Sequence, residues 1–210
     1  MCRNQLRSRW PISRHLLIVA GAALALLFAG EVLRAEESAG AVKDMTGDAF
    51  AEASTSRRAL EPAAAIFVGD HVGTGPASRL TMLLGHDTTI RLGERGNVVI
   101  DRFLMSAGGE ITLQSGPLLF DRPAGATPMP VQIRSSYGLI AVRGTRLFAG
   151  PDGDALGIFV ERGEVTVSAA GRRVRLRTGQ GTTIPRPGAG PTAVKRWSEE
   201  RIAALFSSIR

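Results

Sequence analysis

Leu80-Thr81-Met82-Leu83-Leu84-Gly85-His86-Asp87-Thr88-Thr89-Ile90-Arg91-Leu92 is the stretch that decides the fold class. Leu80, Met82 and Leu84 fall two apart, Gly85-His86-Asp87 carries turn chemistry, and Ile90 and Leu92 then alternate with Thr89 and Arg91. Period-2 patterning on both sides of a Gly/Asp turn predicts a β-hairpin with one buried face.

The same grammar extends outward in both directions. Val98 and Ile100, Ile111 and Leu113, Leu118 and Phe120, Val131 and Ile133, and Ile140 and Val142 repeat the spacing. So do Leu156, Ile158 and Val160, then Val165 and Val167, then Val174 and Leu176. No stretch between Ala63 and Ile184 holds a helical period for ten residues, so the domain is all-β with about a dozen short strands. Three junctions share one pattern: Leu113-Gln-Ser-Gly116-Pro-Leu118, Val160-Glu-Arg-Gly163-Glu-Val165 and Leu176-Arg-Thr-Gly179-Gln-Gly181. Each puts glycine where the chain must turn a corner, because glycine takes positive φ without strain. Repeated corners predict a two-sheet β-roll or a short irregular β-solenoid, with a Greek-key sandwich as the alternative. Pro185 to Pro191 is a Pro/Gly linker, here extended over 186–197. Ser198 then caps an amphipathic helix over 198–209, with Glu199 and Glu200 in its first turn and Ile202, Leu205, Phe206 and Ile209 on one stripe. That stripe is expected to dock on the β domain, with a partner or membrane surface as the other way of covering it.

Residues 1–35 read as an export signal: Arg3, Arg7, Arg9 and Arg14 precede an apolar run from Leu16 to Ala29, and small Ala35 follows. A run of about 14 residues is short of the roughly 20 that span a bilayer. The expected location is therefore periplasmic or exported, with an uncleaved inner-membrane anchor as the alternative. The chain of 210 residues carries +7, with 26 Lys+Arg against 19 Asp+Glu. Removing the five Arg and one Glu of this segment leaves 21 and 18, so much of the basic excess belongs to targeting. Residues 36–62 form a lead-in, and 63–185 form the β domain. The sole cysteine, Cys2, lies in the signal, which excludes a disulfide frame or a thiolate metal site in the remainder.

The chemistry of an enzyme is hard to find. G-x-S-x-G, Ser-x-x-Lys and H-E-x-x-H are absent, and no catalytic residue, metal site or cofactor is expected. His71 and His86 each adjoin an aspartate, Asp70 and Asp87, but neighbours on a strand point to opposite faces and Asp87 reads as a turn residue. The glycines of Gly69-Asp-His-Val-Gly73-Thr-Gly75-Pro76 lack the lysine and the helix of a phosphate loop, so they too read as turn geometry. Arg173, Arg175 and Arg177 alternate with Val174 and Leu176 and so share one outward strand face. This row is read as a solvated or edge-protecting face, or as the binding site of an anionic envelope ligand. Export makes nucleic acid an unexpected partner, and a membrane enters only through an uncleaved signal.

Motifs run in series from Ala41 to Pro185, the most specific being Ile140-Ala-Val-Arg-Gly-Thr-Arg-Leu-Phe148, and through them the sequence resembles the periplasmic domain of the FecR family. The matching pieces run in order: Val68 to Gly75 with Ser78-Arg-Leu-Thr81, Thr88 to Gly93, and Gln114 to Phe120. Ile140-Ala-Val-Arg-Gly-Thr-Arg-Leu-Phe148 is similar to the family's V-R-G-T-x-F core, and Val160 to Val167 and Arg177 to Gly181 complete the series. The resemblance implies a non-enzymatic envelope domain used in signalling, where family regulators relay information from an outer-membrane receptor to an anti-sigma segment inside the cell. Only about 15 residues precede the apolar run, so a cytoplasmic anti-sigma segment is not expected here. Within the core motif, Val142, Arg143, Gly144, Thr145 and Phe148 are read as structural, with a ligand or partner contact as the alternative: Gly144 permits close backbone approach or positive φ, and Arg143 and Thr145 can bond neighbouring carbonyls. The expected activity is binding of an envelope protein partner for signalling, regulation or assembly; the alternative is binding of an anionic glycan or peptidoglycan.

Overall fold

The computed structural model describes residues 37–209 except 54–55, 105–107 and 128, with Leu104 described only in its backbone. The expectations for residues 1–35 lie outside that range. No described helix is long and apolar enough to cross a membrane.

Alternating apolar residues form strands here because a pleated strand sends successive side chains to opposite faces. In chain order they are β1 (Ser38–Thr46), β2 (Ala49–Ala53), β3 (Ser56–Ala59), β4 (Ala65–Phe67), β5 (His71–Thr74) and β6 (Arg79–Leu84). Next come β7 (Thr88–Leu92), β8 (Asn97–Leu104), β9 (Gly108–Ser115), β10 (Leu118–Asp121), β11 (Pro130–Ser135) and β12 (Gly138–Arg143). The series ends with β13 (Arg146–Asp152), β14 (Ala155–Arg162), β15 (Glu164–Ala169), β16 (Arg172–Arg177), β17 (Gln180–Ile184) and β18 (Lys195–Arg196), followed by helix α1 (Glu199–Ser207).

These strands build two nine-stranded sheets, β18-β17-β14-β13-β10-β7-β6-β1-β4 and β16-β15-β12-β11-β9-β8-β5-β2-β3. We call them the first and the second sheet. From β5 onward each sheet takes its strands in chain order, so the chain advances along both sheets instead of returning beside an earlier strand as a Greek key does. The architecture is a two-sheet roll, not closed into a barrel. Pairing is antiparallel throughout the described ladders except between β9 and β11.

Register explains the core. In the first sheet Leu80 pairs with Leu92, Leu92 with Leu118, Leu118 with Ala149 and Ala149 with Ile158. In the second, Val131 pairs with Val142, Val142 with Val165 and Val165 with Leu176. All of these side chains are buried between the sheets in one apolar cluster. A one-residue slip in any strand would turn its whole row outward, which is why the alternation read from sequence fixes the pairing phase.

The corners occur where they were expected. Gly116, Gly163 and Gly179 have φ of 74°, 95° and 78° and carry the chain from one sheet to the other. At Gly116 the requirement is double, because a Cβ would also lie 2.5 Å from Gly96 Cα.

The eighteen strands among the described residues exceed the dozen expected because several are too short to show alternation, such as β4 and β18. The lead-in 36–62 supplies β1, β2 and β3, so both sheets begin before residue 63. Within 186–197, Thr192 N–H donates to Thr183 O at 2.9 Å and β18 pairs with β17, which lays this segment along the first sheet.

The helix docks on the outer face of the first sheet. Leu205, Phe206 and Ile209 form a second apolar cluster with Leu119, Phe148 and Phe159, and Trp197 and Ile202 pack against it. Ser198 caps the helix by accepting from Arg201 N–H. The Glu200 carboxyl is held below the usual range by its own backbone N–H and the Ser198 hydroxyl. An ion pair between Arg201 and Asp152, and the Arg201 guanidinium 3.8 Å over the Trp197 ring, tie the first turn to β13.

Candidate partner-binding surface

The two sheets differ in what covers their outer faces. On the first, Leu119, Phe148 and Phe159 point outward and α1 buries them. On the second, polar and charged side chains such as Glu110 and Thr112 on β9, Gln132 and Arg134 on β11, and Thr166 and Ser168 on β15 share the outward positions with Leu139 and Ala141 on β12 and Phe50 on β2. Among the described residues no element packs over that face.

The arginine row lies on it. Strand β16 is the terminal strand of the second sheet, and Arg173, Arg175 and Arg177 are exposed while Leu176 is buried. Sequence alternation therefore assigned the face correctly. It did not show the pairing: Glu164, opposite Arg177 on β15, forms ion pairs with Arg175 at 3.3 Å and Arg177 at 3.2 Å. Arg173 donates from Nε to Ser168 Oγ at 3.3 Å. One carboxylate thus offsets part of the row, and surface pairs of this exposure stabilise little. The N–H of Arg177 is taken by the Gln180 side chain at 2.8 Å, which closes one end of the edge.

The motif around Gly144 forms the β12–β13 corner. Gly144 has φ of 64°, and no atom lies within 4 Å of where its Cβ would sit. Positive φ is its requirement, and close approach is not. Thr145 is fully buried; its hydroxyl donates to Glu164 O at 3.2 Å and its carbonyl accepts from Arg122 N–H at 3.0 Å. A Cβ on Gly163 would lie 3.0 Å from Gly144 O, so this corner packs directly against the β14–β15 corner. Val142 is buried in the core. Arg143 is exposed, makes no ion pair with a described residue, and follows Val142 on the outward face of the second sheet.

Phe148 stands differently from its place in the motif. Leu147, two residues after Thr145, is the side chain that enters the core between the sheets, whereas Phe148 points the other way and meets Phe206 at 5.8 Å. Strand alternation separates the two, so the aromatic serves the helix dock.

The carboxylates beside the histidines are engaged elsewhere. Asp70 is fully buried, pairs with Arg58 and accepts from Phe67 N–H at 2.8 Å, while His71 is exposed on β5. Asp87 pairs at 2.9 Å with Arg122, which is 4% exposed and also donates to Thr88 Oγ1 and Thr127 O. Sequence reading missed half-buried Arg58 and buried Arg122, because their partners Asp70 and Asp87 lie on other elements and periodicity does not reveal such pairs. Next to this pair, Asp121 joins Arg146 and Arg162, and Arg162 donates to Arg122 O at 2.7 Å. Burial alone would lower the Arg146 pKa, but hydrogen bonds to Glu161 and Asp121 outweigh it and raise the value, so this group stays charged.

Comparison with known proteins places these features in a family context. A family model described as FecR protein matches residues 70–166, from the buried Asp70 through the Gly144 corner to β15. No curated protein matches the sequence. Two crystal structures of a "putative anti-sigma factor" from Parabacteroides distasonis ATCC 8503 are similar in fold, with TM-scores of 0.53 each and identities of 12% and 13%. Each comparison covers 65% of this chain; it spans 64% of one neighbour's length and 63% of the other's.

Proposed function

We propose that this chain, whose residues 70–166 carry a FecR domain, is a non-enzymatic regulatory module of the cell envelope that acts by binding a protein partner. The family match is the observation that carries the reading. The fold supports it, since solved neighbours named as anti-sigma factors share the two-sheet architecture. The partner would be met on the outer face of the second sheet, because α1 already occupies the equivalent face of the first. Arg143, exposed on that face without an ion pair to a described residue, gives it a cation suited to an acidic partner surface.

A photo-crosslinking residue at Thr166 tests this, with one at Ala203 on the exposed side of α1 as the control. The expected result is a defined envelope protein captured from position 166, which then binds the purified chain. Capture from position 203 alone would place the interface elsewhere.

The arginine row supports a second reading, binding of an anionic glycan or peptidoglycan. Replacing Arg173, Arg175 and Arg177 with Ser discriminates the two. Retention on wall or lipopolysaccharide fragments falls and becomes insensitive to salt in the glycan case, whereas capture of a protein through Thr166 persists in the other.

A further inference from the structure

A cleft of about 380 Å³ opens at one end of the roll, where three connections converge. They are the Gly116 corner after β9, the Ser136-Tyr137 turn between β11 and β12, and the turn between β13 and β14. Its size falls within the roughly 300–1,000 Å³ of small-molecule sites.

The lining has a definite chemistry. Buried Leu113 and Leu156 supply apolar surface at the end of the core. Tyr137 packs partly against that core, and its hydroxyl donates to Asp154 O at 3.3 Å across the cleft. The ring is therefore set in position before any ligand arrives. The side chains of Gln114, Ser136 and Asp154 make no hydrogen bond with described residues and are exposed in the cleft wall. Asp154 is its one charged residue, in a chain otherwise rich in arginine.

Each alternative ligand class meets an obstacle. An anion would face a carboxylate and no cation. A wholly apolar ligand would strip water from three polar groups without replacing their hydrogen bonds. A hard cation would find one carboxylate where several oxygen ligands are needed. An uncharged ring carrying several hydroxyls fits all parts of the lining: its C–H face packs on the tyrosine and leucines, and its hydroxyls meet the amide, the hydroxyl and the carboxylate.

We propose that this cleft binds a neutral saccharide unit. The inference is independent of the partner-binding reading, whose test uses the face of the second sheet and the Ser substitutions on β16. The experiment is calorimetric titration and saturation-transfer NMR of the full chain with the N-acetylglucosamine trimer, maltotriose and, as anionic control, the galacturonic acid trimer. We expect saturable binding of at least one neutral trimer and weaker binding of the acidic one. Tyr137→Ala should weaken binding by about tenfold or more, and because that ring also packs on the core, the double variant Gln114→Ala with Ser136→Ala supplies a surface test. The double variant should lose about fivefold in affinity with unchanged melting temperature. Absence of saturable binding by both neutral trimers would overturn the proposal, as would preference for the acidic trimer or wild-type affinity in the double variant.

Discussion

Trp197 stacks on Phe159 with ring centroids 5.6 Å apart and planes 20° from parallel, and the same indole covers Gly181 so closely that a Cβ there would sit 2.3 Å from Trp197 Cε2. Gly181 lies on β17 and Phe159 on β14, so one side chain fixes the chain segment after β18 onto two neighbouring strands. Gly181→Ala should therefore displace the indole and loosen α1 while leaving the sheets paired. The expected loss is about 1–3 kcal/mol, the usual cost of overfilling a packed site, read as a lower melting temperature. Retained far-ultraviolet β signal with reduced near-ultraviolet signal would locate the damage at the dock.

Phe206 carries the other side of that dock, meeting Phe148 and Phe159. Phe206→Ala should cost about 3 kcal/mol in urea unfolding. If the helix were only resting on the sheet, the midpoint would barely move.

Two corner glycines should respond differently to one added methyl. Gly116→Ala meets backbone atoms of Gly96 as well as positive φ, so it should lose about 2–4 kcal/mol. Gly144→Ala meets only the conformational penalty, about 1–2 kcal/mol, and Gly144→Asn less, since Asn enters the left-handed region readily. β-branched Gly144→Val should be the worst of the three at that position. Equal losses for the two alanine variants would contradict the difference in their surroundings.

Asp87→Asn should cost more than a turn aspartate normally does, because it leaves Arg122 charged and nearly buried. About 2 kcal/mol is expected, discounted because Asp87 itself keeps some contact with water. Pairing the change with Arg122→Met should recover part of the loss, a coupling that a double-mutant cycle measures directly.

Acid should weaken the start of α1. The Glu200 pKa is lowered in the folded chain, so its contribution is present above the ordinary carboxylate value and is lost as pH falls through the depressed one. Wild type and Glu200→Gln should therefore differ in helix docking at neutral pH and converge once both side chains are uncharged, in the region below the usual carboxylate range. Near-ultraviolet dichroism followed against pH checks the convergence.

Much of this protein is local information. Alternation at Leu80 to Leu92 and in each later strand fixed which residues enter the core, because a strand has no other way to bury one face. Gly116, Gly163 and Gly179 marked the corners because positive φ is a property of single residues. The stripe on α1 announced that it needed cover. What covers it depended on Leu119, Phe148 and Phe159, which point outward from three strands and come together only when the first sheet forms. The pairing of β9 with β11, the burial of Asp70 against Arg58 and of Arg122 against Asp87, the sharing of Glu164 by two arginines, and the cleft beside Tyr137 likewise join residues far apart in the chain. Periodicity states which way a side chain faces. Which side chain it meets is set by the order in which the sheets stack their strands, and that order belongs to the tertiary structure.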